Sequence, residues 1–179
     1  MAVAAGLVVS LNGYAAEDNV VTEPQYLNSF FGLDPNGKLI ELERTRVTFH
    51  AKTKALPGYY SVKMTTEFKP GSSPIRLPAN VQFVVRGRSE LDPASRFELR
   101  MLKASKSHRE FVMTQGRGSV FGGGSRTNLD EGAIPLSFEE YGSNSYRLTA
   151  TGPLAPGEYA LAVRGMVSEL YCFGVDGEK

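Results

Sequence analysis

The sequence predicts an all-β, mainly antiparallel protein, and three observations carry that expectation. Apolar and polar residues alternate with a period of two in several short runs, Gly- and Pro-containing turns separate the runs, and Val, Tyr, Phe and Thr recur within them. About eight to ten strands at this spacing imply a β-sandwich or an irregular barrel, with at most one short helix.

The clearest strand places Tyr60, Val62, Met64, Thr66 and Phe68 on one face and Ser61, Lys63, Thr65 and Glu67 on the other. Val81, Phe83 and Val85 alternate with Gln82 and Arg86, but Val84 falls on the nominally polar face, which predicts burial on both sides. Tyr146, Leu148 and Ala150 mark a further strand, and Tyr159, Leu161 and Val163 another. Asp34-Pro35-Asn36-Gly37 is turn chemistry and predicts a hairpin between 26–33 and 39–49. The second strand of that hairpin changes phase between Ile40/Leu42 and Val47/Phe49, so a bulge is expected near Glu43 to Thr45. Asp92-Pro93 opens a short helical turn, after which Phe97, Leu99 and Met101 alternate as a strand and 103–107 forms a polar hairpin tip.

The 179 residues fit one domain with enough chain to bury a core, while 41% apolar and 22% charged residues argue against both disorder and a membrane bundle. Ala2 to Leu11 is apolar but too short to cross a bilayer as a helix, so no stable membrane span is expected in the mature form. With Gly13 and Ala15 behind it, residues 1–15 read as a signal-peptide remnant, leaving a single β domain over 16–179. No Lys or Arg precedes the apolar run, so the alternatives are a misplaced start codon or a buried first strand. The expected location is the periplasm or the exterior of a bacterial cell.

Residues able to do chemistry are sparse. Cys172 is the one cysteine, in an apolar run without a nearby His, and reads as a small buried hydrophobe. His50 and His108 are too far apart in sequence and too dissimilar in context to suggest a metal site or a triad. Residues 116–126 are glycine-rich but lack a Gly-Lys-Ser/Thr ending and a nucleophile elbow, so a surface loop is expected. Glu41 and Glu43 on one strand would share a face roughly 7 Å apart, a spacing open to a general acid and base or to a solvated face. Asn128, Asp130 and Glu131 form an oxygen-rich turn without the full spacing of a calcium loop. No catalytic residue, cofactor or metal ligand is assigned.

Charge is uneven along the chain. Residues 86–126 hold 9 basic and 4 acidic groups, net +5, whereas 127–179 hold 3 and 8, net −5. Arg100, Lys103, Lys106, Arg109, Arg117 and Arg126 are therefore the candidate anion-binding face, for an anionic envelope polymer or a protein partner. Nucleic acid is not expected, because the net charge is only +1 and no aromatic-interleaved RNA motif is present.

The ending Leu154-Ala155-Pro156-Gly157-Glu158-Tyr159-Ala160-Leu161, followed by Phe173-Gly174-Val175-Asp176, resembles that of exported bacterial β-rich proteins of uncharacterised function. Residues 37–44 and 83–87 extend the resemblance across most of the mature chain, and it implies no activity, ligand or site residue. The function expected is a non-enzymatic envelope or extracellular interaction module. The alternatives are a carboxylate-based hydrolase using Glu41 and Glu43, or a carbohydrate-binding module relying on Tyr and Phe, since the chain has no Trp.

Overall fold

The structure, a computed structural model, describes residues 21–87, 90–119, 124–127 and 133–177. The segment read as a signal peptide, 1–15, and the oxygen-rich turn at Asn128, Asp130 and Glu131 lie outside them. In chain order the first strands are β1 (Phe30–Leu33), β2 (Leu39–Glu41), β3 (Glu43–Arg46), β4 (Thr48–Leu56), β5 (Tyr59–Phe68), β6 (Arg76–Leu77) and β7 (Gln82–Arg86). The helical turn α1 (Pro93–Arg96) follows, then β8 (Phe97–Met101), β9 (Lys103–Ala104), β10 (Arg109–Ser119) and β11 (Gly124–Thr127). The chain ends with β12 (Ala133–Ile134), β13 (Leu136–Tyr141), β14 (Ser145–Ala150), β15 (Gly157–Val163) and β16 (Met166–Val175). Nine of these strands have five residues or more; the rest are too short to show a period, and β13 is a strand that the sequence reading did not identify.

Among the described residues the strands form three sheets, none closed into a barrel. The front sheet has the order β13-β14-β7-β1-β2, and the middle sheet β12-β8-β15-β16-β3 with β6 alongside β16. The arm sheet has the order β11-β10-β5-β4, with β9 also paired to β10. Among the described residues the β6–β16 contact is parallel and the other pairings are antiparallel.

Front and middle sheets face each other as a sandwich. Phe30, Phe83, Val85 and Leu148 of the front sheet meet Phe97, Leu99, Tyr159, Leu161, Tyr171 and Phe173 of the middle sheet. Aromatic rings tie the layers, with Phe30 to Phe97 at 5.3 Å edge-on and Phe83 to Phe173 at 5.0 Å. The middle sheet is buried on its other face too. Ala160, Ala162, Leu170 and Cys172 pack there against Phe68 and Phe111 from the base of the arm sheet, with Leu102 and Val47 filling the corner. Tyr159 and Leu161 therefore look one way while Ala160 and Ala162 look the other, and the small alanines let the arm approach closely.

Expected turns are present, with reasons visible in the bonds. Asp34 Oδ1 accepts the N–H groups of Asn36 (2.8 Å) and Lys38 (2.7 Å), closing the β1–β2 hairpin. Asp92 caps α1 by accepting the Ala94 N–H at 3.0 Å, and Phe97 returns to extended backbone. The expected bulge near Glu43 proves to be something larger. Residues 39–56 leave the front sheet after β2, join the middle sheet as β3 and enter the arm sheet as β4, with buried Leu42 at the first crossing. The phase change in the sequence marks these sheet changes. No helix among the described residues is long and apolar enough to cross a membrane.

Candidate functional site

The crossing at Leu42 separates the two carboxylates that a single strand would have paired. Glu41 sits opposite Phe31 in the front sheet, and Glu43 opposite Cys172 in the middle sheet. Glu43 belongs to a buried ionic cluster between the middle sheet and the arm. Arg109, wholly buried at the start of β10, donates to Glu43 from Nη1 at 2.8 Å and from Nη2 at 2.6 Å. Its Nε donates to the Pro70 carbonyl at 2.9 Å, and its guanidinium lies 4.9 Å from the Phe68 ring centre.

Glu158, from β15, carries the cluster onward. It lies 3.7 Å from Arg109, accepts the Ser73 N–H at 2.7 Å and pairs with Arg76, which also binds Asp176 at 2.8 Å. The loop supplying Pro70 and Ser73 is pressed onto the β9–β10 tip, and a Cβ at Gly71 would run into the Ser105 carbonyl. Burial pushes the Glu43 carboxyl up, but bonds from Arg109, Ser73 and Thr45 and the Arg109 charge outweigh it, so Glu43 titrates below its ordinary range. A carboxylate held ionised with both oxygens on one guanidinium is a structural anion. It is not free to act as half of a general acid and base pair.

The candidate anion-binding face requires correction. Arg109 is interior, as is Arg100, which binds Glu98 at 2.9 Å and stacks 5.4 Å from the Phe111 ring centre. Lys103 and Lys106 are exposed beside the β9–β10 tip. Arg117 and Arg126 belong to the arm, in consecutive cross-strand rows, where Arg117 pairs with Ser125 and Gly116 with Arg126. The six residues do not make one surface. The physical reason is the doubly buried middle sheet, which turns a nominally wet strand face into an interior one.

Cys172 is buried beside the same cluster, and burial, opposed by Arg109, pushes its thiol up to about 12. Iodoacetamide at mildly alkaline pH is expected to leave the native protein unmodified and to label this thiol once the chain is unfolded in urea. Intact-mass spectrometry reads the difference. His108 sits at the polar tip, its Nδ1 3.0 Å from Ser105 Oγ and 3.2 Å from Ser107 Oγ, while His50 lies on β4.

A groove that the sequence did not reveal opens beside the sandwich. It has a volume of about 370 Å³ and is lined by residues 26–29, Arg44, Val163, Ser168, Glu169 and Tyr171. One wall is the Arg44–Glu169 pair at 2.8 Å; the other is a short segment with Tyr26 68% and Leu27 47% exposed. That segment is fixed at several points. Asn28 takes a left-handed conformation with φ of 60°, donates its N–H to the Arg86 carbonyl at 2.9 Å and accepts from Arg96 at 3.0 Å. Arg86 also donates to the Pro24 carbonyl at 3.1 Å. Glu23 takes the Ser143 and Asn144 N–H groups at 2.8 and 3.0 Å and the Ser145 hydroxyl at 2.7 Å. Slight burial pushes the Glu23 carboxyl up, but these bonds and the Arg86 charge outweigh it and bring it below its ordinary value. A non-glycine residue held at positive φ, next to an aromatic ring left in water, is a built feature.

No family model, no curated protein and no solved structure matches the chain.

Proposed function

We propose that this chain is a non-enzymatic interaction module of a bacterial envelope or extracellular space, and that the groove at Tyr26 is its ligand contact. The observation that carries the reading is the fixed segment 26–29, which holds Tyr26 and Leu27 out of the core on a backbone anchored at both ends. Exposed apolar side chains on a rigid support offer contact area with little entropy left to lose on binding. The opposite wall adds the Arg44 guanidinium, the Glu169 carboxylate and the Ser168 hydroxyl as directional partners.

This combination suits a sugar ring, which presents an apolar face to an aromatic side chain and hydroxyls to polar ones, so an envelope polysaccharide is the favoured ligand. The carboxylate-based hydrolase receives no such support, because Glu41 and Glu43 lie in different sheets and Glu43 is bound to Arg109. Export from the cytoplasm belongs to the same proposal. Titration calorimetry with soluble peptidoglycan fragments and with neutral and acidic polysaccharides tests the groove. Binding to at least one is expected, with Tyr26→Ala weakening it roughly tenfold and the melting temperature unchanged. Binding that survives in a Tyr26→Ala/Arg44→Ala double variant would remove the groove from the account.

A further inference from the structure

We infer that β13, at the edge of the front sheet, takes up an extended basic segment of a partner protein as an added strand, a contact separate from the groove at Tyr26. The hydrogen-bond phase of the sheet carries the first step. The Thr151 N–H donates to the Pro135 carbonyl at 3.1 Å, and the Gly87 N–H to the Asn144 carbonyl at 3.1 Å. Followed through the register, both bonds make Ser137–Thr149, Glu139–Arg147 and Tyr141–Ser145 the hydrogen-bonded pairs of β13 and β14. Leu136, Phe138 and Glu140 therefore turn their N–H and C=O groups away from β14, toward a side where the described residues place no further strand.

The side chains on this edge continue the pattern. Leu136 and Phe138 are half-buried and point toward the middle sheet, packed on the core beside their cross-strand neighbours Ala150 and Leu148. With Ala94 of α1, Phe97 of β8, Ile134 and Pro135 they line a cavity of about 330 Å³. A strand added about 4.8 Å beyond β13 sends every second side chain to that face. Residues set opposite Leu136 and Phe138 would thus offer apolar groups to the cavity. Main-chain bonds along an edge, with pockets for alternate side chains, are how sheet edges bind extended peptides.

Charge selects the occupant. Edge strands are commonly protected by Lys, Pro or a bulge, but β13 has an unbroken register and neither Lys nor Pro within it. Its charges are Glu139, with a side chain 69% exposed, and exposed Glu140. Arg147 approaches Glu139 only to 3.9 Å, and among the described residues no cation pairs with Glu140. A second copy of β13 laid antiparallel about Phe138 would set Glu139 diagonal to its own copy, which like-charge repulsion opposes. Lys or Arg at those positions is attracted instead. The segment that suits the edge reads, from its N-terminus opposite Glu140 to its end opposite Leu136, basic, basic, apolar, any, apolar.

The peptide acetyl-Thr-Lys-Lys-Val-Thr-Val-Thr-amide has that pattern, and titrating it into the isotope-labelled full chain, followed by NMR, tests the inference. Binding should slow amide exchange at Leu136, Phe138 and Glu140 roughly tenfold and change Ser137 and Glu139, already bonded to β14, much less. Methylating the two valine nitrogens removes the donors for the Leu136 and Phe138 carbonyls and should abolish binding. A peptide with Glu for both lysines should bind on the order of tenfold more weakly, and Glu140→Lys should reverse part of that preference. Glu140 is exposed, so this variant should keep its melting temperature. No binding at millimolar peptide, equal binding of the two peptides, or unchanged exchange at Leu136, Phe138 and Glu140 would overturn the inference. So would a dimer of the free chain in sedimentation velocity with those amides already protected, which would assign the edge to a second copy. Tyr26→Ala should leave peptide binding intact, so this contact and the groove stand or fall separately.

Discussion

Arg109→Met should destabilise the protein by about 3–5 kcal/mol, because it leaves a partly buried Glu43 carboxylate without its cation and takes a neighbouring cation from Glu158. Urea unfolding measures the loss. The pH dependence gives the effect a signature. In the wild type the folded pKa of Glu43 lies below its ordinary value of 4.5, so the stability it contributes is present above that value and is lost as pH falls through the folded pKa. In the variant burial dominates at the carboxyl, and burial raises its pKa. The neutral acid is then the better-tolerated form, so acidification from neutrality toward 4.5 should stabilise the variant. Glu43→Gln in the Arg109→Met background should recover part of the loss by removing the unpaired charge. Equal pH slopes for wild type and Arg109→Met would show that the pair does not govern this region.

The same cluster shows where sequence reading stops. Strand positions are legible wherever a run is long enough, but their faces less so: Met64 of the apolar phase of β5 is exposed, whereas Thr65 of its polar phase is buried. Tyr60 to Phe68 lies within β5, Val84 is fully buried along with its neighbours Phe83 and Val85, and the helical turn begins after Asp92. Periodicity distinguishes two faces of a strand, but it does not say which sheet the strand joins or what covers its second face. Arg100 and Glu98 occupy the polar phase of β8, which reads as the solvent side, yet the arm sheet covers them. Arg109 reads as part of a basic surface because its partner, Glu43, stands 66 residues earlier in the chain. The groove is illegible for a related reason. Residues 26–29 have no period, and they are held in place by Arg86, Arg96 and the turn at Ser143, all distant in sequence.

Burial of the middle sheet on both faces makes the second large prediction. Phe173 is fully buried between front and middle sheets, with Phe83 at 5.0 Å and Tyr159 stacked at 5.4 Å. Phe173→Ala should therefore cost about 3–5 kcal/mol, from lost transfer energy and the cavity left behind. In an ordinary two-layer sandwich, residues of the opposite phase would face water, and truncating one would change stability by no more than about 0.5 kcal/mol. Leu170 belongs to that opposite phase of β16, but here it is fully buried with Phe68 and Phe111 of the arm. Leu170→Ala should thus cost about 2–5 kcal/mol. A double-mutant cycle with Phe111→Ala should show coupling of about 0.5–3 kcal/mol, since both side chains lie in one packed cluster. A negligible cost for Leu170→Ala, or strict additivity with Phe111→Ala, would mean that the arm does not rest on the middle sheet in solution. Urea unfolding followed by circular dichroism decides between these outcomes.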